Sequence, residues 1–132
     1  MEEVSYDKFQ RTVSDCLIRH KSILDVTSKL QEACARVNRA VAKSVTCCGC
    51  VRVKAGRQNF PPELDSYSKL KAFMDTHLEG SLCDHCREVI ESEMGQTQFY
   101  LAALCDLLGL DMEEVLSKEY SRVATLGTFN LL

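Results

Sequence analysis

Two short cysteine-rich segments constrain this chain more than any other feature. Residues 47–50 read CCGC and residues 83–86 read CDHC, with 32 residues between Cys50 and Cys83. Two residues between cysteines let both sulfurs turn toward one point, so two such segments can close a tetrahedral site of four thiolates. Zn²⁺ favours that geometry. Because no coordination position would remain open, the sequence predicts a structural zinc rather than a catalytic one.

The spacing predicts the ligands of this site. Three are expected from the pattern itself, namely Cys50, Cys83 and Cys86. The fourth is Cys47 or Cys48, and His85 is a further candidate. A Cys48-x-Cys50 pair around Gly49 is favoured, which would make Cys47 the last residue of the preceding helix.

Disulfides and free buried thiols are the alternatives to a bound metal. The N-terminal residues MEEVSYDKF are acidic and polar and contain no apolar segment of a secretory signal. We therefore expect a cytoplasmic protein, in which thiols stay reduced. Cys16, Cys34 and Cys105 fall on predicted apolar helix faces and are expected to pack as small hydrophobic residues.

Length and composition fit one domain that spans residues 1–132. The chain is 45% hydrophobic and 27% charged, with a formal net charge of −3. This charge argues against general nucleic-acid binding, which usually needs a basic surface. No apolar run approaches the ~20 residues of a membrane span.

Apolar residues recur at steps of three or four along most of the chain, which indicates an all-α bundle of four or five helices. In the second predicted helix the apolar stripe consists of Ile23, Val26, Leu30, Cys34, Val37, Val41 and Val45. The predicted helices cover residues 5–20, Ser22 to about Thr46, Ser66 to His77, about Cys83 to Leu108, and Asp111 to the residue before Gly127. Asp111 and Glu114 form a capping box at the start of the last helix.

Helical periodicity stops between the cysteine segments, so residues of about 47–86 are read as an insert. Val51 to Lys54 could form a short strand, and Ala55 to Pro62 is expected to be a loop. In the short helix that follows, Tyr67, Leu70, Phe73 and Met74 are expected to point inward. The insert has too little apolar content to fold well alone, which gives a stapling metal a physical role.

Two parts of the chain resemble MazG-like all-α nucleotide pyrophosphohydrolases. Residues 93–111, EMGQTQFYLAALCDLLGLD, and residues 112–116, MEEVL, look like the second half of such a protein. Residues 30–35, LQEACA, stand where that family has its first acidic motif. The resemblance covers roughly residues 22–46 and 87–125 and leaves the cysteine insert outside the basic family pattern. An uncharacterised bacterial branch of the family with this insert would account for the whole chain.

The resemblance implies a site of several carboxylates that hold Mg²⁺ and activate a water. Glu32 and Glu93 match acidic positions of the two motifs and are the candidate Mg²⁺ ligands. Other acidic positions are replaced, by Gln31, Ala35, Ser92 and Gln96. The alternative for Glu32 and Glu93 is solvent exposure or a salt bridge with Arg36 or Arg39. Glu88 could contribute a carboxylate.

Three functions follow as hypotheses. The first is a MazG-like protein that binds nucleotide weakly or is not catalytic. The second is an active pyrophosphohydrolase with a reduced metal site, and the third is an interaction module built on the zinc insert. The resemblance also implies a homo-oligomer, a dimer or tetramer assembled through helices. The apolar tail, residues 128–132, is expected to dock on the body or on a neighbouring subunit.

Overall fold

The computed structural model describes residues 3–19, 21–59, 62–63 and 67–127. Five α-helices and two short strands follow one another in these ranges. They are α1 (Tyr6–Cys16), α2 (Ile23–Lys43), a π-helical turn (Ser44–Cys48), β1 (Val51–Val53), α3 (Tyr67–Leu70) with a 3₁₀ turn (Lys71–Phe73), β2 (Leu78–Gly80), α4 (Asp84–Leu108) and α5 (Met112–Leu126). The all-α class is confirmed.

Helix α4 is the central element, because it packs along α2 and also against α1. The hydrophobic core lies where these helices meet, and α5 joins it through its first residue. Its buried members are Val13, Leu17, Val26, Ala102, Ala103 and Met112. No helix in the described part of the chain is long and apolar enough to cross a membrane.

The buried stripe of α2 differs from the predicted one. The sequence pattern placed Cys34 and Val41 inward, yet Cys34 is exposed and Val41 is 44% exposed. Ala33 on α2 and Ser44, the first residue of the π turn, are buried instead, at 0% and 1% exposure. Small side chains let two helices approach closely, so part of the buried surface comes from residues that a search for large apolar side chains overlooks.

The three cysteines outside the insert differ in their burial. Cys16 is exposed, so its predicted burial, like that of Cys34, is wrong. Cys105 is half-buried and packs against the core, as expected. Its burial raises the pKa of the Cys105 thiol, with the charge of Asp111 adding to the effect.

The insert is built on a two-stranded antiparallel ribbon. Val51 pairs with Gly80, Arg52 with Glu79 and Val53 with Leu78. The sequence predicted the first strand but not the second. The helix expected from Ser66 to His77 is shorter, and its predicted inward face is wrong at two positions, since Phe73 is 48% and Met74 44% exposed.

Asp111 caps α5 as the sequence predicted. Its Oδ1 accepts hydrogen bonds from the backbone N–H groups of Glu113 at 2.9 Å and Glu114 at 3.4 Å. The Glu114 carboxylate pairs with Lys118 instead of returning to the cap.

Asp111→Ala is therefore expected to lower the free energy of unfolding by about 1 kcal/mol, the usual contribution of an N-cap. Chemical denaturation followed by circular dichroism measures it. Asp84→Ala, an exposed acid one residue after the cap of α4, is the control and should change stability by less. Equal effects of the two substitutions would contradict a capping role for Asp111.

Candidate metal centre

The first pair of thiols is positioned by the end of α2. There the helix widens into the π turn, in which the backbone N–H of Gly49 donates to the carbonyl of Ser44 at 2.9 Å. Gly49 has φ 81°, a left-handed conformation that reverses the chain at low cost only for glycine. The reversal leaves Cys48 on the π turn and carries Cys50 into the start of β1. The Cys50 thiol lies 3.8 Å from the Ser44 carbonyl oxygen.

The second pair occupies the N-terminus of α4. Cys83 is the N-cap residue, and its Sγ accepts a hydrogen bond from the backbone N–H of Cys86 at 3.4 Å. Cys86 lies in the first turn and is buried at 8% exposure. A helix N-terminus presents free N–H groups and a positive dipole end, and both favour a thiolate.

The four thiols of Cys48, Cys50, Cys83 and Cys86 converge on one point. Their sulfur atoms all lie within 4.8 Å of one another. Four sulfurs at about 2.3 Å from a central Zn²⁺ in tetrahedral geometry would lie about 3.8 Å apart. Cys48 Sγ and Cys83 Sγ are separated by 3.8 Å. The cluster could therefore hold a metal ion, and its dimensions are compatible with zinc.

The electrostatics of the metal-free thiols favour one thiolate at the helix N-terminus. The Cys86 N–H, followed by thiol hydrogen bonds from Cys86, Cys48 and Cys50, lowers the pKa of Cys83 to about 7. The hydrogen bond to Cys83, together with burial, raises the pKa of Cys86 to about 12. Cys83 is thus the first of the pair to lose its proton as the pH rises.

The β ribbon ties the two halves of the cluster together. Cys50 directly precedes β1, and Cys83 follows β2 after Ser81 and Leu82. At the paired end, Gly80 has φ 85°, and a Cβ built on it would lie 2.6 Å from the Cys50 carbonyl oxygen. The backbones of Gly80 and Cys50 therefore approach in a way that only glycine allows.

Two other candidate ligands lie outside the four-thiol cluster. Cys47 is exposed, and its Sγ is 3.9 Å from the Thr46 hydroxyl. The expectation that it ends the preceding helix is wrong, because the π turn continues through Cys48. His85 is exposed in the first turn of α4.

Glu32 and Glu93 come together across the contact between α2 and α4, but a cation lies between them. Arg36 Nε donates to Glu93 Oε2 at 2.8 Å, and Arg36 Nη1 donates to Glu32 Oε1 at 2.7 Å. Lys29 Nζ lies 3.4 Å from the other oxygen of Glu32. The hydrogen bond to Glu93 also raises the pKa of Arg36. The arrangement is the salt bridge that the sequence left open as the alternative to metal binding.

No further acid completes a carboxylate cluster here. Among the described residues, the only group of three or more side chains able to hold a metal is the set of four cysteines. Glu88, the additional candidate, is exposed on α4. Gln96, one of the residues taken from the sequence to replace an acid, is also exposed and lines an open cavity with Arg19 and Phe99.

Comparison of the chain with protein-family models, with curated proteins and with solved structures gives no match. The functional argument therefore depends on the residues and their geometry. Of the residues in the two sites, sequence reasoning missed the role of Gly80 and the double pairing of Arg36. A glycine between two candidate ligand segments was the available signal for the first. The i, i+4 spacing of Glu32 and Arg36 was the signal for the second.

Proposed function

We propose that this protein is a zinc-stapled, MazG-like helical protein that binds nucleotide weakly or not at all and has no efficient pyrophosphohydrolase activity. The lack of efficient pyrophosphohydrolase activity is supported most strongly by Arg36, which donates hydrogen bonds to Glu32 and Glu93 at the same time. The proposed zinc site is supported by the convergence of four thiols.

Charge balance explains why the carboxylates are poor magnesium ligands. Mg²⁺ needs oxygen ligands in near-octahedral geometry, and a nucleoside triphosphate brings more negative charge with it. The two carboxylates here face two cations, Arg36 and Lys29, so the pair carries little net negative charge. A magnesium ion would have to displace a guanidinium that holds both acids. Mg²⁺-assisted attack by water on a triphosphate has no evident support in this arrangement.

Zinc is the metal proposed for the thiol cluster because a set of four thiolates suits it and fills its coordination sphere. With all four positions occupied by protein, the ion would bind no water and would act on the fold alone. It would join the end of α2, the ribbon and the start of α4 at one point. We also propose that the protein is cytoplasmic, because the cytoplasm keeps thiols reduced.

The second candidate function, an interaction module, is favoured by the surface of the insert. Val53 and Leu78 pair across the ribbon and are 60% and 53% exposed. Phe73 and Met74 are also exposed. Exposed apolar side chains on paired positions of neighbouring strands, such as Val53 and Leu78, favour an interaction surface.

Pyrophosphate release tests whether the protein has pyrophosphohydrolase activity. A panel of canonical and modified nucleoside triphosphates with Mg²⁺ or Mn²⁺ is expected to give no release above a protein-free control. Glu93→Gln should leave this result unchanged. Glu91→Gln, an exposed acid on the same helix, is the matched control.

Robust turnover that Glu93→Gln abolishes and Glu91→Gln spares would show that Glu93 serves an active site, and the non-catalytic proposal would be withdrawn. Calorimetric titration with the same nucleotides and Mg²⁺ tests binding separately. We expect dissociation constants of about 1 mM or weaker, or no measurable heat. Micromolar binding lost in Glu93→Gln would favour a working nucleotide site.

We also propose that the protein assembles as a homo-oligomer, a dimer or tetramer. Exposed apolar residues on the helices support this, including Leu101 at 40%, Leu108 at 56% and Tyr120 at 72% exposure. The tail, residues 128–132, to which the sequence assigned a docking role, lies outside the described residues.

A further inference from the structure

The four-thiol cluster can be reached from solvent at one corner. Cys48 is exposed, Cys50 and Cys83 are half-buried, and Cys86 is buried at 8% exposure. A cavity of about 190 Å³ lies beside the cluster, and Cys48 and Cys86 form part of its wall. A small dissolved reagent can therefore reach the cluster at Cys48 first.

Cys48 has a reaction partner within the cluster. Its Sγ lies 3.8 Å from the Sγ of Cys83, a separation that side-chain rotation can close to a disulfide bond. The other two thiols are less available, because Cys86 is buried and the Cys50 thiol lies 3.8 Å from the Ser44 carbonyl oxygen. Cys48 and Cys83 are therefore the pair that oxidation would join.

We propose that the metal centre is a peroxide-sensitive switch, in which hydrogen peroxide oxidises Cys48 and Cys83 to a disulfide and zinc leaves the protein. This inference rests on the zinc centre proposed above. A thiol that coordinates zinc is held as the thiolate, which is the form that attacks peroxide. The thiols of Cys16 and Cys34 are also exposed but lie outside the cluster, so they should react later.

The reaction consumes one peroxide and four protons for each zinc released. The Cys48 sulfur attacks a peroxide oxygen, so that an S–O bond forms, the O–O bond breaks, and the departing hydroxide takes up a proton to give water. The Cys83 thiolate then attacks the oxidised sulfur. The S–S bond forms as the S–O bond breaks, and the second hydroxide also becomes water. Two electrons have passed from sulfur to peroxide, and Cys50 and Cys86 take up the remaining two protons as Zn²⁺ dissociates.

Oxidation would exchange the metal for a covalent link between two of the same elements. A disulfide between Cys48 and Cys83 still joins the π turn to the N-cap of α4. Cys50, which directly precedes β1, would lose its attachment. The ribbon should therefore loosen while α2 and α4 keep their packing. In a reducing compartment the disulfide would be transient, as redox-sensing disulfides there usually are.

Titration of the zinc-loaded protein with hydrogen peroxide tests the switch. A chromogenic zinc indicator is expected to report the loss of one zinc per chain for each peroxide consumed, before the thiols of Cys16 and Cys34 are oxidised. Dithiothreitol and added zinc should reverse the loss. Cys47→Ser removes the exposed neighbour of Cys48 that lies outside the cluster. This variant is the matched control and should release zinc at the same peroxide concentration as wild type.

Peptide mass spectrometry identifies the oxidised pair. Tryptic digestion places the two cysteine segments in separate peptides, residues 44–52 and residues 72–87. The proposed disulfide therefore links these peptides, and fragmentation assigns the link to Cys48 and Cys83. Cys48→Ser should lose the link. Because this measurement does not need bound zinc, it holds even if the loss of one ligand weakens zinc binding.

The contrary outcomes separate the switch from the zinc centre on which it rests. Zinc that stays bound until Cys34 is oxidised would refute the switch and leave the zinc centre standing. Zinc released with a disulfide inside either peptide, instead of between them, would refute the pairing of Cys48 with Cys83. Protein that contains no zinc when purified would refute the zinc centre, and the switch with it.

Discussion

Protein purified without added metal is expected to contain one zinc ion per chain, retained through gel filtration. The four sulfurs of Cys48, Cys50, Cys83 and Cys86 already lie within 4.8 Å of one another. A structural zinc site of this kind contributes on the order of 10 kcal/mol or more of binding free energy at neutral pH. Elemental analysis by mass spectrometry measures the zinc. A zinc content near zero, with all eight cysteines freely titratable under native conditions, would contradict the site.

Cys83→Ser is expected to abolish tight zinc binding and to loosen the insert. The substitution removes both a ligand and the sulfur that accepts the Cys86 N–H. Hydrogen exchange over residues 47–86 should rise strongly, while most helical signal remains because α1, α2 and α4 have their own core. Cys34→Ser and Cys47→Ser, at exposed cysteines outside the cluster, are the controls. Full retention of zinc in Cys83→Ser would refute the ligand assignment, and global loss of helix would show that the insert is integral to the fold.

The same site should release zinc as the pH falls. Metal binding competes with protons for the thiolates. In the metal-free cluster the Cys86 N–H keeps the pKa of Cys83 near 7, below that of a free thiol. Because the pKa of the Cys83 thiol is lowered from 9.0 to about 7, its ionisation stabilises the folded state fully above pH 9.0, and this contribution is lost as the pH falls to about 7. Bound zinc competes with protons for the four thiolates, so a lower pH is needed to protonate them. Zinc is therefore expected to dissociate well below pH 7.

The convergence of the four cysteines could be predicted from sequence because its information is local. Each cysteine pair lies within three or four residues, and Gly49 between Cys48 and Cys50 indicates the sharp reversal that the structure shows. The helices could also be predicted from the sequence, since their apolar periodicity and the caps Gly109 and Asp111 are local signals. These features need no knowledge of which elements meet.

Features that depend on which elements meet were predicted less well. The sequence pattern gave weight to large residues, so Val41 was placed inward and Ala33 overlooked, although Ala33 is completely buried in the structure. The strand β2 has only three residues, and the pairing with β1 that defines it spans the whole insert. Arg36 and Glu93 are 57 residues apart in the chain and become partners only through the packing of α2 on α4.

Gly80→Ala is expected to be the most damaging small substitution in the insert. A Cβ at Gly80 would lie 2.6 Å from the carbonyl oxygen of Cys50 and 3.4 Å from the Cα of Val51, and both are backbone atoms that cannot rotate away. Since Cys50 is a proposed zinc ligand, any shift that relieves the clash moves its sulfur as well. The left-handed φ of Gly80 adds roughly 1–2 kcal/mol of strain for alanine, and the clash adds about 1–3 kcal/mol.

Two other glycines provide matched controls that separate these effects. Gly49 also has a left-handed φ, of 81°, but a Cβ there meets nothing within 4 Å, so Gly49→Ala should show the strain alone. Gly56 has neither a left-handed φ nor a neighbour within 4 Å, and Gly56→Ala should be nearly neutral.

Zinc affinity measured by competition with a chromogenic chelator should therefore fall in the order Gly56→Ala, Gly49→Ala, Gly80→Ala. The last variant should be weaker than wild type by about a hundredfold or more, because each 1.4 kcal/mol corresponds to a factor of ten. Equal affinities for Gly80→Ala and Gly49→Ala would mean that the ribbon yields at Gly80 without moving Cys50. The close approach of the two backbones would then have no role in holding the metal centre.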